Sequence, residues 1–474
     1  MNKIVSNFVV DLDGTLIKTD LLYETSLEFI RDNPFKIFTL IFWLLKGKSV
    51  LKHKLASVSK LDITLLPYNK NVIELINKKR VEGSFITLAS ASNKILVDQI
   101  ASHLGLFDEV VASDYDLNLS GKFKRDILVK KYGSINFEYI GNSRDDLPIW
   151  IEASKPIVIN SKSIVKALSR SDINSYELVD SDKSNDWLKA IRLHQWAKNI
   201  LVFVPLFLSH QYINLHLLIA GFQAFILFGF CASSVYVLND LLDLQDDRKH
   251  TYKKFRPFAA GNLSIKSGLL VSILLLFLSF ALSILMLPLI FVFWLFIYYI
   301  LTLVYSVLLK RYVVIDVVTL SILHTLRIIA GAMALNIELS FWLLAFSMFI
   351  FLSLAMAKRY AELYELKSTN INEKVHGRGY LASDKQIIAS FGTASGYISV
   401  LVLALYLNDA DTIKYYSNLE IIWFLCPLLL TWISRIWLLS TRGLMNEDPV
   451  IFAMHDKFSL YIFAILGILF FIAT

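Results

Sequence analysis

The sequence has 474 residues, of which 55% are hydrophobic, 13% aromatic and only 18% charged. A mean hydropathy of +0.55 excludes an ordinary soluble enzyme, and so apolar a chain is not intrinsically disordered. Two cysteines, Cys231 and Cys426, exclude a disulfide scaffold or a four-cysteine metal site. The net charge of +7 reads as lysines and arginines held on the cytoplasmic side of a membrane, not as a nucleic-acid footprint.

The first 160 residues have the pattern of a soluble domain. The N-terminal apolar run is short and interrupted by Asp11 and Asp13, so it is not a secretory signal. Val9 and Val10, closing on Asp11, predict a buried strand that delivers carboxylates to its C-terminal end. Further strands are expected at Ser84–Ala89, Glu138–Ile140 and Pro156–Ile159, with helices between them. This alternation implies an α/β domain built on a parallel sheet. An apolar run over residues 37–45, with Lys36 before it and Lys46 and Lys48 after it, is too short to span a bilayer. It reads either as a buried helix or as one resting on the membrane surface.

Asp11-Leu12-Asp13-Gly14-Thr15-Leu16 is the first chemical signal. Of two carboxylates two residues apart, one can attack phosphorus, the other can shuttle a proton, and both can hold Mg2+. The segment resembles the first motif of the haloacid dehalogenase (HAD) phosphatase superfamily, in its phosphoserine-phosphatase-like branch with a helical cap. The resemblance implies a phosphate-binding hydroxyl at Ser90 and a charge-neutralising lysine at Lys124, with Lys122 as rival. In the fourth motif Asn142 stands where an Asp ligand to Mg2+ is expected, and Asp146 keeps the second acidic position.

Residues 161–186, rich in Ser, Asp, Asn and Lys, predict a linker. Trp187–Asn199 predicts an interfacial helix. From there to residue 474 the pattern is an all-α polytopic domain of nine transmembrane helices, near 199–209, 215–238, 268–286, 289–309, 313–335, 341–357, 388–407, 419–439 and 458–473. Lysines and arginines, among them Arg248, Lys249, Lys310, Arg311, Lys358, Lys367, Lys374 and Arg442, fall in alternate loops, while the opposite connections hold only Lys414. That bias predicts an inner-membrane protein with its N-terminal domain in the cytoplasm.

Asp240, Asp243 and Asp247 follow Asn239 at the end of the second span, spaced i, i+3 and i+7. On one helix they share a face, where like charges repel unless a cation such as Mg2+ binds between them. His250–Pro257 follows directly, offering Lys253 and Arg256 to phosphate oxygens. Together these motifs resemble the UbiA-type prenyltransferase superfamily, and most closely its decaprenyl-phosphate phosphoribosyltransferase branch. Lys198, Tyr305, Lys310, Asp316, Arg327 and the run Lys358-Arg359-Tyr360-Ala361-Glu362-Leu363 fit that branch. Aromatic prenyltransferases of the superfamily carry a second Asp-rich motif at the last position, whereas here Glu362 is its only carboxylate. The resemblance implies transfer between a polyprenyl phosphate and 5-phosphoribosyl 1-diphosphate, with phosphates held by Lys198, Lys253, Arg256, Lys310, Arg327 and Lys358. The partners are then a lipid, a phosphorylated sugar and the membrane, with no nucleic acid and with oligomerisation left open. Prenylation of an aromatic acceptor, and a transporter with a regulatory HAD domain, are the alternative readings.

Overall fold

The computed structural model describes residues 6–115, 118–171, 173–178, 186–365, 378–408, 416, 418–445 and 448–473. Lys367, Lys374 and Lys414 of the loop-charge argument lie outside them. The chain divides into two compact units, residues 1–191 with 237–271, and residues 192–236 with 272–474.

The first unit contains a six-stranded parallel sheet. Its strands are β1 (Asn7–Asp11), β2 (Phe85–Asn93), β3 (Glu109–Ser113), β4 (Phe137–Gly141), β5 (Lys155–Ile159) and β6 (Tyr176–Leu178), in the order β3-β2-β1-β4-β5-β6. All neighbours run parallel. Strand residues alternate between two apolar cores. Phe8 and Val10 pack with Val72, Ile76 and Val97 on one face. Val9 packs with Leu128, Ile149 and Trp150 on the other. The order reverses at β1, which opens a crevice beyond its carboxyl end.

Two strands were missed by sequence reasoning. β3 carries no fully apolar run, and β6 lies inside the expected linker. Residues 162–169 of that segment also form a helix, so part of the predicted linker belongs to the folded unit. Residues 237–271, expected in the membrane domain, pack in the first unit. Val237, Leu241, Leu244, Phe258, Leu263 and Ile265 form one core with Leu27 and Ala190. Gly261, at φ +73°, lies so near Lys18 that an added Cβ would sit 2.6 Å from the lysine Cβ.

Among the described residues seven helices are long and apolar enough to cross a membrane: Leu215–Leu242, Ile265–Met286, Leu289–Val307, Ile315–Leu335, Phe341–Tyr364, Ala382–Leu407 and Glu420–Thr441. Pro449–His455 and Lys457–Ala473, bent by 83°, make an eighth if counted as one span. The chain is a multi-pass membrane protein. Nine spans were expected, and the described residues supply seven or eight helices of that length and composition. Residues 199–209 do not form a spanning helix, because Leu193–Phe203 is a 3-10 stretch followed only by the short helix Val204–Leu208. The expected interfacial helix is likewise broken at Arg192, which has φ +51°.

Candidate functional site

Three groups of polar residues carry the chemistry, one at the sheet, one in the Asp-rich segment and one among the helices of the second unit.

At the sheet, Asp11 ends β1 and Asp13 follows in the turn. Gly14 makes that turn at φ +74°, and a Cβ there would lie 2.0 Å from the Asn142 amide nitrogen. The carboxyl ends of β2 and β4 bring Ser90 and Asn142 to the same crevice. Asp13 Oδ2 accepts from Ser90 Oγ at 3.2 Å and from Ser92 Oγ at 2.7 Å. Asp13 Oδ1 accepts from the Leu21 backbone N–H at 2.9 Å, which ties it to the start of the helix Leu21–Asp32.

Lys124 is buried and donates to Asp11 Oδ1 at 2.7 Å and to the Tyr139 hydroxyl at 2.8 Å. Lys122 is exposed, so the geometry selects Lys124 of the two. Burial pushes the Asp11 carboxyl up to about 7, against the pull of Lys124. Both oxygens of Asp146 are engaged. Oδ1 accepts from Tyr139 at 2.7 Å, and Oδ2 accepts from the Asn142 and Ser143 backbone and the Ser143 hydroxyl. Asp146 thus closes the loop that holds Asn142. Sequence reasoning missed Ser92 and Lys52. The Lys52 ammonium donates to the Ala91 carbonyl and to Asn118 Oδ1. Lys52 had no motif to mark it, because it reaches the crevice from the helix Lys48–Val58.

The Asp-rich segment is not one continuous helix. The long helix ends at Leu242, Asp243 stands at the N-terminal boundary of the next one without a side-chain capping bond, and Leu244–Lys249 follows. The i, i+3, i+7 face therefore bends at its middle residue. Asp240 and Asp247 still converge, sharing the Arg256 guanidinium at 3.1 and 2.7 Å. Burial raises the Asp247 carboxyl to about 6, offset by Arg256. Asn239 accepts the Asp243 N–H at 2.9 Å and carries the helix across the break. Lys253 is exposed on the turn Lys253–Phe255 and acts on Asp247 through its charge. No group of three His, Cys, Asp or Glu converges as a metal cluster among the described residues. Asp240 and Asp247 already face a cation, the Arg256 guanidinium, so their charges are compensated in this structure.

The second unit holds the remaining cations. Lys198 and Lys358 both donate to Asp448 Oδ2, each at 2.8 Å. Burial would raise the Asp448 carboxyl, but the two lysines hold it well below the usual carboxylate range. Arg359 binds Asp316 at 2.6 Å, Glu362 at 2.5 Å and the Tyr305 hydroxyl at 3.1 Å. Arg378 joins Glu362 at 3.1 Å. Arg327 donates to Asn199 Oδ1 at 3.2 Å and to the Tyr298 hydroxyl at 2.9 Å. Among the described residues, Asn199 Nδ2 and His324 Nε2 are buried in this unit with no hydrogen-bond partner. Lys310 lies on the turn Leu309–Arg311.

The UbiA prenyltransferase family model matches residues 200–446, over half of the sequence. The chain belongs to the UbiA prenyltransferase family. The uncharacterized protein y4nM of Sinorhizobium fredii is 35% identical over 463 residues, covering 97% of this chain and 89% of that protein. The decaprenyl-phosphate phosphoribosyltransferase of Mycobacterium tuberculosis is 35% identical over 278 residues, covering 57% of this chain and 88% of that enzyme. Among solved structures, a substrate-bound phosphoserine phosphatase complex is 18% identical with TM-score 0.28, over 37% of this chain and 94% of that one.

In the second unit, sequence reasoning missed Asp448 and His324, counted Arg378 only as loop charge and quoted Asn199 only within the run that leads into the first span. Asp448 and His324 stand without a neighbouring motif and are recognisable only through the surroundings that the fold supplies.

Proposed function

We propose that the chain makes and then dephosphorylates a lipid-linked phosphoribose on the cytoplasmic side of an inner membrane. The observation that carries this reading is the cationic character of the second unit's polar cluster. Lys198, Lys358, Arg359, Arg378 and Arg327 outnumber the carboxylates Asp316, Glu362 and Asp448 that meet them. A second substrate bearing phosphates suits this cluster better than a neutral aromatic ring. The similarity to decaprenyl-phosphate phosphoribosyltransferase supports the same choice.

In the transfer step, an oxygen of a polyprenyl phosphate attacks the anomeric carbon of 5-phosphoribosyl 1-diphosphate. The bond from that carbon to the diphosphate oxygen breaks, and diphosphate leaves. Asp240, Asp243 and Asp247 would hold Mg2+, which when bound neutralises a diphosphate leaving group. Arg256 and Lys253 offer donors to its free oxygens. Asn199 Nδ2 can donate to a phosphate oxygen, and His324 Nε2, a lone-pair nitrogen while Nδ1 donates to the Leu320 carbonyl, can accept from a sugar hydroxyl.

The product keeps a phosphate monoester on C5, a substrate for the HAD-like crevice. Asp11 attacks phosphorus, and Asp13 protonates the departing sugar oxygen. Water, deprotonated by Asp13, then cleaves the aspartyl phosphate and releases inorganic phosphate. Lys124 neutralises charge beside Asp11, and Asp11, Asp13 and the Asn142 amide oxygen would hold Mg2+ there. The shared chain raises the effective concentration of the second site for the product.

The test is incubation of purified protein in membranes with polyprenyl phosphate, labelled phosphoribosyl diphosphate and Mg2+. Lipid-linked label and free diphosphate are expected. No label in the lipid fraction would sink this reading.

A further inference from the structure

The run over residues 37–45 forms a helix, Ile37–Leu45, in which no residue is buried. Phe38 is 76% exposed and Leu45 is 81% exposed, and Phe35 just before the helix is 85% exposed. Thr39, Leu40 and Trp43 are half-buried, with the Trp43 ring 5.3 Å from that of Phe29. The other six residues, all apolar, are exposed, and such a face needs an apolar environment.

Three observations identify that environment as the bilayer surface. First, the same compact unit contains residues 237–271, the end of one spanning helix and the start of the next. The helix Leu21–Asp32 is fixed to that segment. Leu27 packs with Leu241 and Leu244, and Arg31 binds Asp246 at 3.2 Å. The apolar helix begins five residues after Asp32, so it lies a short chain length from where the spans emerge. Second, residues 33–61 contain six lysines and no Asp or Glu. Lys46 rests its ammonium 4.5 Å from the centre of the Phe42 ring, a stem-over-aromatic arrangement suited to phosphate level. Third, at ~1.5 Å per residue the helix is far shorter than a ~30 Å hydrocarbon core, so it can lie in the interface but not cross.

We propose that Ile37–Leu45 is an interfacial helix that seats the HAD-like half on an anionic lipid surface. On the functional reading above, which this inference extends, it holds the Asp11 crevice next to a product whose tail stays in the bilayer. The experiment uses the full chain in nanodiscs of phosphatidylethanolamine and phosphatidylglycerol. Nitroxide labels are placed by Phe38→Cys and by Leu45→Cys, with Val81→Cys, 89% exposed on another helix, as the water reference. The native cysteines are buried and stay in place. Labels at 38 and 45 should collide several-fold more with oxygen than with a polar nickel chelate, the reverse of the label at 81. Chelate access equal to that at 81 would place the helix in water. Protection from both reagents would place it against protein. Either result overturns the proposal, and neither depends on turnover, so a failed transfer assay leaves it standing.

Discussion

Asp11 shows how the fold sets one residue's chemistry. Burial favours its neutral form, yet Lys124 at 2.7 Å, itself held by Tyr139, supplies the opposing charge. An amide at this position keeps the shape and loses the nucleophile. Asp11→Asn should abolish release of inorganic phosphate from the lipid-linked product while lipid transfer continues, as read by separate phosphate and lipid-label assays. Equal phosphate release by both proteins would remove Asp11 from the phosphatase. Asp448 is the counterpart among the helices, a single carboxylate between two lysines. Removing its charge leaves two buried or half-buried ammonium groups facing each other, at a cost of about 3–5 kcal/mol by analogy with broken buried pairs. Asp448→Asn should therefore lower the thermal midpoint of the detergent-solubilised protein by several degrees, whereas the exposed Lys122→Ala should not. The meeting of Asp11 and Lys124 in one crevice was legible because a motif surrounds each. Asp448 was not, since an isolated Asp before a proline says nothing of the lysines 250 and 90 positions away.

The helix Leu21–Asp32 joins two chemistries. Its first N–H binds Asp13, and its side carries Glu24, which takes both terminal nitrogens of Arg248 at 3.1 and 2.5 Å. Both partners are buried, and Arg248 also donates to the Ala259 carbonyl. Glu24→Gln leaves an uncompensated guanidinium in a dry setting. The expected result is a loss of thermal stability together with a fall in both activities, because Arg248 stands in the Asp-rich helix. A fall in phosphatase activity alone would show that the helix serves only the sheet. The break at Asp243 bears on the transferase. Sequence spacing foresaw three aspartates near one another, but a continuous helix was the wrong frame, because the chain turns at the middle residue. Asp243 is half-exposed at that turn, while Asp240 and Asp247 meet Arg256. Asp243→Ala should stop diphosphate release with the protein still folded. Normal turnover by a monodisperse variant would remove it from the cation site.

At the scale of the molecule, hydropathy located the apolar helices, whereas the packing of residues 237–271 with the sheet-bearing unit is not visible in it. Span length and loop charge are local properties, so they are visible in a window of sequence. Packing of residues 237–271 into the sheet-bearing unit is not local. It depends on Glu24, Leu27 and Lys18, two hundred residues earlier, whose side chains look ordinary on their own. The predicted division at 160 therefore followed composition, whereas the fold joins segments across it. This has a mechanical consequence. A protease site introduced between Leu178 and Asp186 would cut the peptide but leave the Glu24–Arg248 pair, the Arg31–Asp246 pair and the Leu27 core intact. After cleavage in detergent the two fragments should still elute together. Adding Glu24→Gln should shift them toward separation, because a buried pair then becomes a buried unpaired charge. Raising salt alone should do less, since that pair is shielded from screening while the partly exposed Arg31–Asp246 pair is not. Fragments that part at once in the otherwise unaltered chain would mean that the peptide connection, and not this packing, joins residues 237–271 to the sheet-bearing segment.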